Sequence, residues 1–161
     1  MNHDSVKYFK NFSKINNVYL LLGSIPITEN DKLFNRSILI NPDGDIISIY
    51  DKIHMFDITL KNGESYKESD FYSPGSELKI TKVLGHSVGH TICYDLRYPK
   101  LYRALAKKGS QIIVVPSAFT HTTGKAHWHS LIKARAIENG VFILAPNQWG
   151  VNNEKRVTYG H

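Results

Sequence analysis

The sequence is poor in the residues that build crosslinked or membrane-spanning proteins. It has one cysteine among 161 residues, which excludes an internal disulfide and any zinc site built on a cysteine pair. No apolar run reaches the roughly 18 residues of a transmembrane helix, and no apolar core of a signal peptide follows the N-terminus. The predicted location is therefore the reducing cytoplasm. The glycine-rich signatures of nucleotide-binding proteins and the G-x-S-x-G signature of serine hydrolases are also missing.

Basic residues outnumber acidic ones, with 20 Lys and Arg against 14 Asp and Glu and a formal net charge of +6. The basic residues are scattered, and no basic stretch is interleaved with aromatic residues as in RNA-binding domains. We therefore predict no nucleic-acid partner and no membrane partner. A solvated basic surface, or a weak attraction to anionic small molecules, explains the charge.

The first half of the chain predicts one helix and three strands. An apolar stripe of Val6, Phe9, Phe12 and Ile15 predicts an amphipathic helix over residues 4–16. Residues 18–25 predict a buried strand that ends at Pro26. Residues 37–50 predict a β-hairpin whose turn contains Pro42 and Gly44, and residues 53–76 predict a long loop.

The second half alternates between strands and helices. The predicted strands are 77–83, 87–92, 111–115 and 141–145, and the predicted helices are 99–108 and 125–139. Buried strands that alternate with helices are typical of a layered α/β fold. No repeat, low-complexity tract or linker interrupts the chain, so residues 1–161 are predicted to form a single domain.

Cys93 lies where a predicted strand meets a predicted helix. Ligands of α/β proteins bind at the carboxyl ends of the strands, and a nearby helix N-terminus favours a thiolate. A buried structural thiol is the alternative. The histidines His121, His127 and His129 suggest a metal site only weakly, because His127 and His129 would point in nearly opposite directions on a helix.

Several ordered motifs resemble one known family. The segment HTICYDLRYP around Cys93 resembles the nucleophile motif of the nitrilase superfamily of carbon–nitrogen hydrolases. YDKIHMFD resembles the catalytic-lysine motif of that family, and KESDFYSPG resembles its active-site loop. NRSILINPDGDIISIYDK is similar to the hairpin that leads to the lysine. The resemblance runs from about residue 18 to the end, and it is strongest to omega-amidases and deaminated-glutathione amidases.

The resemblance implies a fold and a set of roles. The fold is the nitrilase-like four-layer α-β-β-α sandwich, present here in part. The reaction is hydrolysis of the carbon–nitrogen bond of a small, anionic amide through a cysteine thioester, without cofactor or metal, and a homodimer is possible. Cys93 would be the nucleophile, Lys52 the cation that stabilises the oxyanion and Glu68 a supporting carboxylate; the N–H of Tyr94 would share the oxyanion, and Asp95 and Arg97 would hold the turn. Without the resemblance, the residues alone favour a surface lysine at position 52 and a solvated glutamate at position 68, and they leave a structural Asp95–Arg97 ion pair as an alternative.

The sequence departs from the family pattern at both ends. The general-base glutamate of the family precedes its first long helix, whereas Asp4, which lies in no matching motif, is the only acid before residue 29. No residue is therefore assigned to the base. The family also continues beyond VTYGH, and His129 stands where many relatives carry glutamate. We expect a single carbon–nitrogen hydrolase domain that is incomplete at the N- and C-termini. The alternative to an active amidase is an inactive truncated remnant or one half of a split amidase.

Overall fold

The computed structural model describes residues 3–59, 63, 65–153 and 156–161. The chain divides into two compact units, residues 1–79 and 80–161. Each unit combines β-strands with at least one α-helix, which confirms the α/β class predicted from the sequence. The prediction of a single domain stays a prediction.

Among its described residues, the first unit contains one α-helix and two antiparallel sheets. Strands β1, β2 and β3 form a meander in that order, and β4 pairs with β5 in a small hairpin. The hairpin predicted over residues 37–50 is confirmed as β2 and β3, with Gly44 at φ +81° in its turn. The elements are α1 (Asp4–Asn16), β1 (Leu20–Glu29), β2 (Lys32–Ile40), β3 (Ile46–Asp51), β4 (Asp57–Thr59), β5 (Ser65–Lys67) and a 3₁₀ turn (Glu68–Asp70).

Helix α1 packs on the sheet through a face that differs from the predicted stripe. Val6 is buried with Leu22, Ile38 and Ile40, and this cluster forms the core of the unit. The helix bounds are confirmed, but Phe12 and Ile15 of the predicted stripe are exposed. In a helix of 3.6 residues per turn, residues spaced by three do not stay on one face. Ile15, nine residues after Val6, therefore points about 180° away from it.

Two predictions for the first unit are wrong. Strand β1 continues past Pro26 to Glu29 with an irregular register between Leu22 and Ile25. Proline is tolerated because β1 lies at the edge of the described sheet, where a strand needs no second hydrogen-bonding neighbour. The predicted loop over residues 53–76 contains the β4–β5 hairpin and the 3₁₀ turn, although its residues 60–62 and 64 lie outside the described residues.

The second unit is built on a four-stranded sheet in the order β6-β7-β8-β9. Strands β7, β8 and β9 are parallel, with α2 and α3 as their crossover helices, and β6 pairs antiparallel with β7. This alternation is the one predicted from residue 87 onward. The elements are β6 (Ile80–Val83), β7 (His86–His90), α2 (Pro99–Lys107), β8 (Ile112–Val114), α3 (His121–Asn139), β9 (Phe142–Leu144), β10 (Trp149–Asn153) and β11 (Arg156–Tyr159).

Helix α3 begins four residues earlier than predicted. Thr120 caps it, since its side-chain oxygen accepts the N–H of Thr123 at 3.4 Å, and Gly140 ends it in the left-handed conformation. Tyr159 of β11 packs directly over Gly124, where a Cβ would approach its ring to 2.6 Å. Within the described part of the chain, no helix has the length and apolar character needed to cross a membrane.

A cluster of charged side chains in the first unit is centred on the buried Arg36. Arg36 donates to both carboxylate oxygens of Asp51 on the neighbouring strand, at 2.6 and 2.9 Å, and to Glu29 at 2.9 Å. The hydrogen bond from Arg36, and then its charge, hold the pKa of Glu29 below its usual range. The same partners raise the pKa of Arg36, with the Asp51 hydrogen bond as the largest cause. The cluster therefore joins all three strands of the sheet with fixed charges.

We predict that Glu29→Gln lowers the free energy of unfolding at pH 7 and that this deficit closes in acid. The folded-state pKa of Glu29 is depressed, so its contribution is present above the unfolded pKa of about 4.3 and is lost as pH falls through the lower folded value. Urea titrations between pH 3 and pH 7 measure the difference. A deficit of the same size at pH 3 and at pH 7 would contradict the prediction.

Candidate active site

Cys93 lies three residues beyond the end of β7, at the carboxyl edge of the parallel strands. It begins a 3₁₀ turn, Cys93–Arg97, that leads to Pro99 at the start of α2. Its N–H donates to the oxygen of Pro116 at 3.0 Å, just beyond β8. The predicted position of the cysteine between strand and helix is therefore confirmed, and this is the edge where α/β sheets bind ligands.

The backbone of Cys93 is strained. Its φ of +48° lies in the left-handed region, which a residue with a side chain enters at a cost of about 1–2 kcal/mol. The turn is held by the buried carboxylate of Asp95, which accepts the N–H of Ile92 at 2.9 Å. Asp95 thus closes the turn around the cysteine, and the surrounding hydrogen bonds offset the strain.

Buried side chains hold the turn on both sides of Cys93. Before it, the hydroxyl of Thr91 donates to the oxygen of Val114 at 2.8 Å, so its oxygen accepts from the hydroxyl of Tyr102 at 2.9 Å. Burial raises the pKa of Tyr102 well above its usual range, which keeps this donor protonated. After the cysteine, Arg135 of α3 donates to the oxygen of Leu96 at 3.0 Å.

Arg135 connects these two supports. Its guanidinium lies 5.6 Å from the ring centre of Tyr102, and it pairs with Glu138 at 2.9 Å. The local sequence gives no sign of this role of Arg135, because its partner Leu96 is 39 residues away. A buried arginine aimed at a backbone oxygen is a contact that only the fold reveals.

Arg97 supplies a positive charge beside the turn. Its guanidinium lies over the rings of Tyr94 and Phe119, at 5.9 and 5.5 Å, and approaches Nδ1 of His127 at 3.3 Å. A guanidinium over aromatic faces is attracted to their negative charge. Tyr94 and Arg97 therefore belong to one aromatic and cationic group next to Cys93.

Lys52 and Glu68 meet in the first unit. The Lys52 ammonium is bonded to Oε2 of Glu68, and the side chains are only 3% and 13% exposed. The alternatives of a surface lysine and a solvated glutamate are therefore wrong. Glu68 also accepts the N–H of Phe56 at 2.7 Å and Nδ2 of Asn35 at 2.9 Å. Lys52 is therefore a desolvated cation, and its counterion Glu68 accepts three hydrogen bonds, from Lys52, Phe56 and Asn35.

The histidines of α3 divide between two sides of the helix. His127 faces Arg97, whereas the rings of His121 and His129 lie 6.0 Å from the ring of Tyr159. His129 also contacts His161, with ring centres 5.1 Å apart. In the described part of the chain, no group of three or more His, Cys, Asp or Glu side chains is arranged to hold a metal ion.

The comparison with protein families identifies the chain. The model of the carbon–nitrogen hydrolase family matches residues 1–161. The chain therefore belongs to the carbon–nitrogen hydrolase family, as the ordered motifs predicted. The particular relatives found are consistent with the predicted branch of the nitrilase superfamily.

Three relatives illustrate the similarity. A deaminated glutathione amidase of Yersinia enterocolitica is 44% identical over 148 residues, which are 89% of this chain and 52% of that protein. An omega-amidase of Danio rerio is 36% identical over 158 residues, covering 98% of this chain and 57% of that protein. The crystal structure of the C. elegans NitFhit protein has a TM-score of 0.90 at 34% identity, covering 97% of this chain and 39% of that one. The chain spans about half the length of the curated relatives it matches.

We predict that glycine at position 93 is more stabilising than alanine. Glycine adopts a φ of +48° without the steric cost of a Cβ, so Cys93→Gly should exceed Cys93→Ala in unfolding free energy by about 1 kcal/mol. The control is Lys82, an exposed residue of strand β6, where alanine should instead exceed glycine. Denaturant unfolding of the four variants measures both orders, and alanine equal to or better than glycine at position 93 would contradict the strain.

We also predict that Arg135→Met destabilises the protein more than Glu138→Gln does. The first substitution removes the charged donor of the Leu96 oxygen and should lower the unfolding free energy by about 2–3 kcal/mol. The second weakens a partly exposed pair spaced by three residues and should lower it by less than about 1 kcal/mol. Equal effects of the two substitutions in chemical denaturation would count against a role of Arg135 in holding the turn.

Proposed function

We propose that this chain carries the nucleophile and the oxyanion-binding cation of an amidase that hydrolyses the carbon–nitrogen bond of a small amide. The observation that supports this most is the conformation of Cys93, a left-handed cysteine at the carboxyl end of a parallel strand. A structural thiol needs no such strain, whereas strained residues concentrate at active sites. Membership of the carbon–nitrogen hydrolase family supports the same reaction class.

The reaction proceeds through a thioester. The thiolate of Cys93 attacks the amide carbonyl carbon, and the carbonyl oxygen becomes a tetrahedral oxyanion. Collapse of this intermediate breaks the carbon–nitrogen bond, and the nitrogen leaves as ammonia after it takes up a proton. Water then attacks the thioester and releases the carboxylic acid and the thiol. The amide and one water are consumed, and one acid and one ammonia are formed.

Lys52 is proposed to stabilise the oxyanion. A fixed cation in a site that excludes water stabilises developing negative charge far better than a solvated one. Lys52 has the required properties, since it is 3% exposed and held by Glu68. The N–H of Tyr94 is proposed as a second donor. Asp95 and Arg97 are proposed to hold the turn and its surroundings, in line with their contacts to Ile92 and His127.

The proposed substrate is a small amide with an anionic end. Omega-amidase and deaminated glutathione amidase are the names of proteins at 36% and 44% identity. The formal net charge of +6 favours the approach of an anion.

No residue is proposed for the general base. Asp4, the only acid before residue 29, is exposed and pairs with Lys7 at 3.3 Å.

The test is release of ammonia from 2-oxoglutaramate and from a deaminated-glutathione analogue by the purified chain. Cys93→Ala should abolish release, and Lys52→Met should lower kcat by about 10²–10³-fold through the lost oxyanion contact. Lys82→Met, at an exposed lysine of β6, is the matched control and should leave kcat unchanged.

Two further measurements make the test decisive. Acid quenching during turnover, followed by mass spectrometry, should find one acyl group on Cys93 as the thioester. Because Lys52→Met leaves Glu68 without its cation, circular dichroism must show that the variant is folded before its kcat is interpreted. A folded wild-type chain that releases no ammonia from either amide, or a Cys93→Ala variant that still does, would overturn the proposal.

A further inference from the structure

Asn35 touches both members of the Lys52–Glu68 pair. Its side-chain Nδ2 donates to Oε1 of Glu68 at 2.9 Å, and its backbone oxygen accepts the N–H of Lys52 at 2.9 Å. We propose that Asn35 is a positioning residue of the amidase reaction, which orients the Glu68 carboxylate so that this carboxylate holds the Lys52 ammonium in one place. The inference rests on the proposed function, in which that ammonium stabilises the oxyanion.

The geometry shows why one more donor matters to Glu68. Its Oε2 accepts from Lys52 and from the N–H of Phe56 at 2.7 Å, while its Oε1 accepts from Asn35. A carboxylate bound at both oxygens has one orientation, whereas the terminal torsion of a glutamate bound at one oxygen is broad. Lysine has a flexible four-carbon stem and three equivalent donors, so the position of its ammonium group is set by the position of its counterion.

The chemistry of the contact requires a donor at position 35. An ionised carboxylate only accepts hydrogen bonds, so the Asn35 side chain must present its NH₂ group to Glu68. Aspartate has nearly the same shape but presents a second negative charge to Glu68. Alanine leaves a gap without adding charge. The order of the kcat values of Asn35→Asp and Asn35→Ala therefore distinguishes loss of the hydrogen-bond donor from loss of packing.

The first measurement compares Asn35→Asp and Asn35→Ala by kcat and KM for ammonia release. Loss of a hydrogen bond to a charged group should lower kcat by about tenfold in Asn35→Ala, with KM little changed. Asn35→Asp should lower kcat further. Ser37→Ala is the matched control, because this buried serine lies on the same strand and its hydroxyl donates to the oxygen of Leu22 at 3.1 Å. Its thermal stability should fall as in Asn35→Ala, while its kcat should stay at the wild-type value.

The second measurement needs no amidase activity. Brief acylation with acetic anhydride, followed by mass spectrometry, reports how well the Lys52 amine is held, with the exposed Lys82 as the reference in the same digest. Lys52 should be acylated about threefold faster in both Asn35 variants than in the wild type and in Ser37→Ala.

The two measurements separate the two proposals. If the folded wild type releases no ammonia, the proposed function fails, and the acylation rates alone decide whether Asn35 positions the pair. Faster acylation of Lys52 in the Asn35 variants, together with Asp below Ala in kcat where activity is present, supports the inference. Wild-type acylation rates in both Asn35 variants, or a kcat of Asn35→Asp above that of Asn35→Ala, overturn it.

Discussion

A buried ammonium group must meet a carboxylate, and this requirement organises the segment that follows the β2–β3 hairpin. Lys52 leaves β3 with its side chain almost fully buried, and its counterion Glu68 comes 16 residues later. The intervening chain has to turn back, and the β4–β5 hairpin does so. Beyond Glu68, the N–H of Gly75 donates to the oxygen of Lys52 at 2.8 Å, at a point where a Cβ would lie 2.3 Å from the oxygen of Asp51. The ion pair thus accounts for the return of the chain to Lys52, and Gly75 permits the close backbone approach that follows.

The sequence predicted the fold best where local signals agree. The hairpin of residues 37–50 combines two apolar strands with a proline–glycine turn, and its strands pair as predicted. Local signals misled where tertiary contacts decide. Pro26 predicts the end of a strand, but an edge position tolerates proline. The two-residue turn of Asn30 and Asp31, with φ values of 50° and 59°, contains no glycine that would mark it in the sequence. The β4–β5 hairpin was not predicted because each of its strands has only three residues, too few for a clear alternation.

The same distinction between local signals and tertiary contacts applies to the candidate site. The motifs located Cys93, Lys52 and Glu68, since a resemblance carries residue types at fixed spacing. The supporting residues were missed. Asn35 and Arg135 act through partners 33 and 39 positions away, and nothing in their local sequence marks them. Arg135 donates from a buried side chain to the oxygen of Leu96, and Asn35 donates from a partly buried side chain to Glu68.

The energetic cost of these features argues that they serve chemistry. At Cys93, glycine would fit the backbone better, and at Lys52 and Glu68 an apolar pair of the same size would avoid desolvating two charges. A chain selected for stability alone would retain neither arrangement. The Arg36 cluster differs, because it links neighbouring strands and has a partly exposed carboxylate in Glu29, so its charges remain partly hydrated. Stabilising contacts explain the Arg36 cluster, whereas a strained cysteine and a desolvated cation are the two features on which the proposed hydrolysis of an amide through a thioester depends.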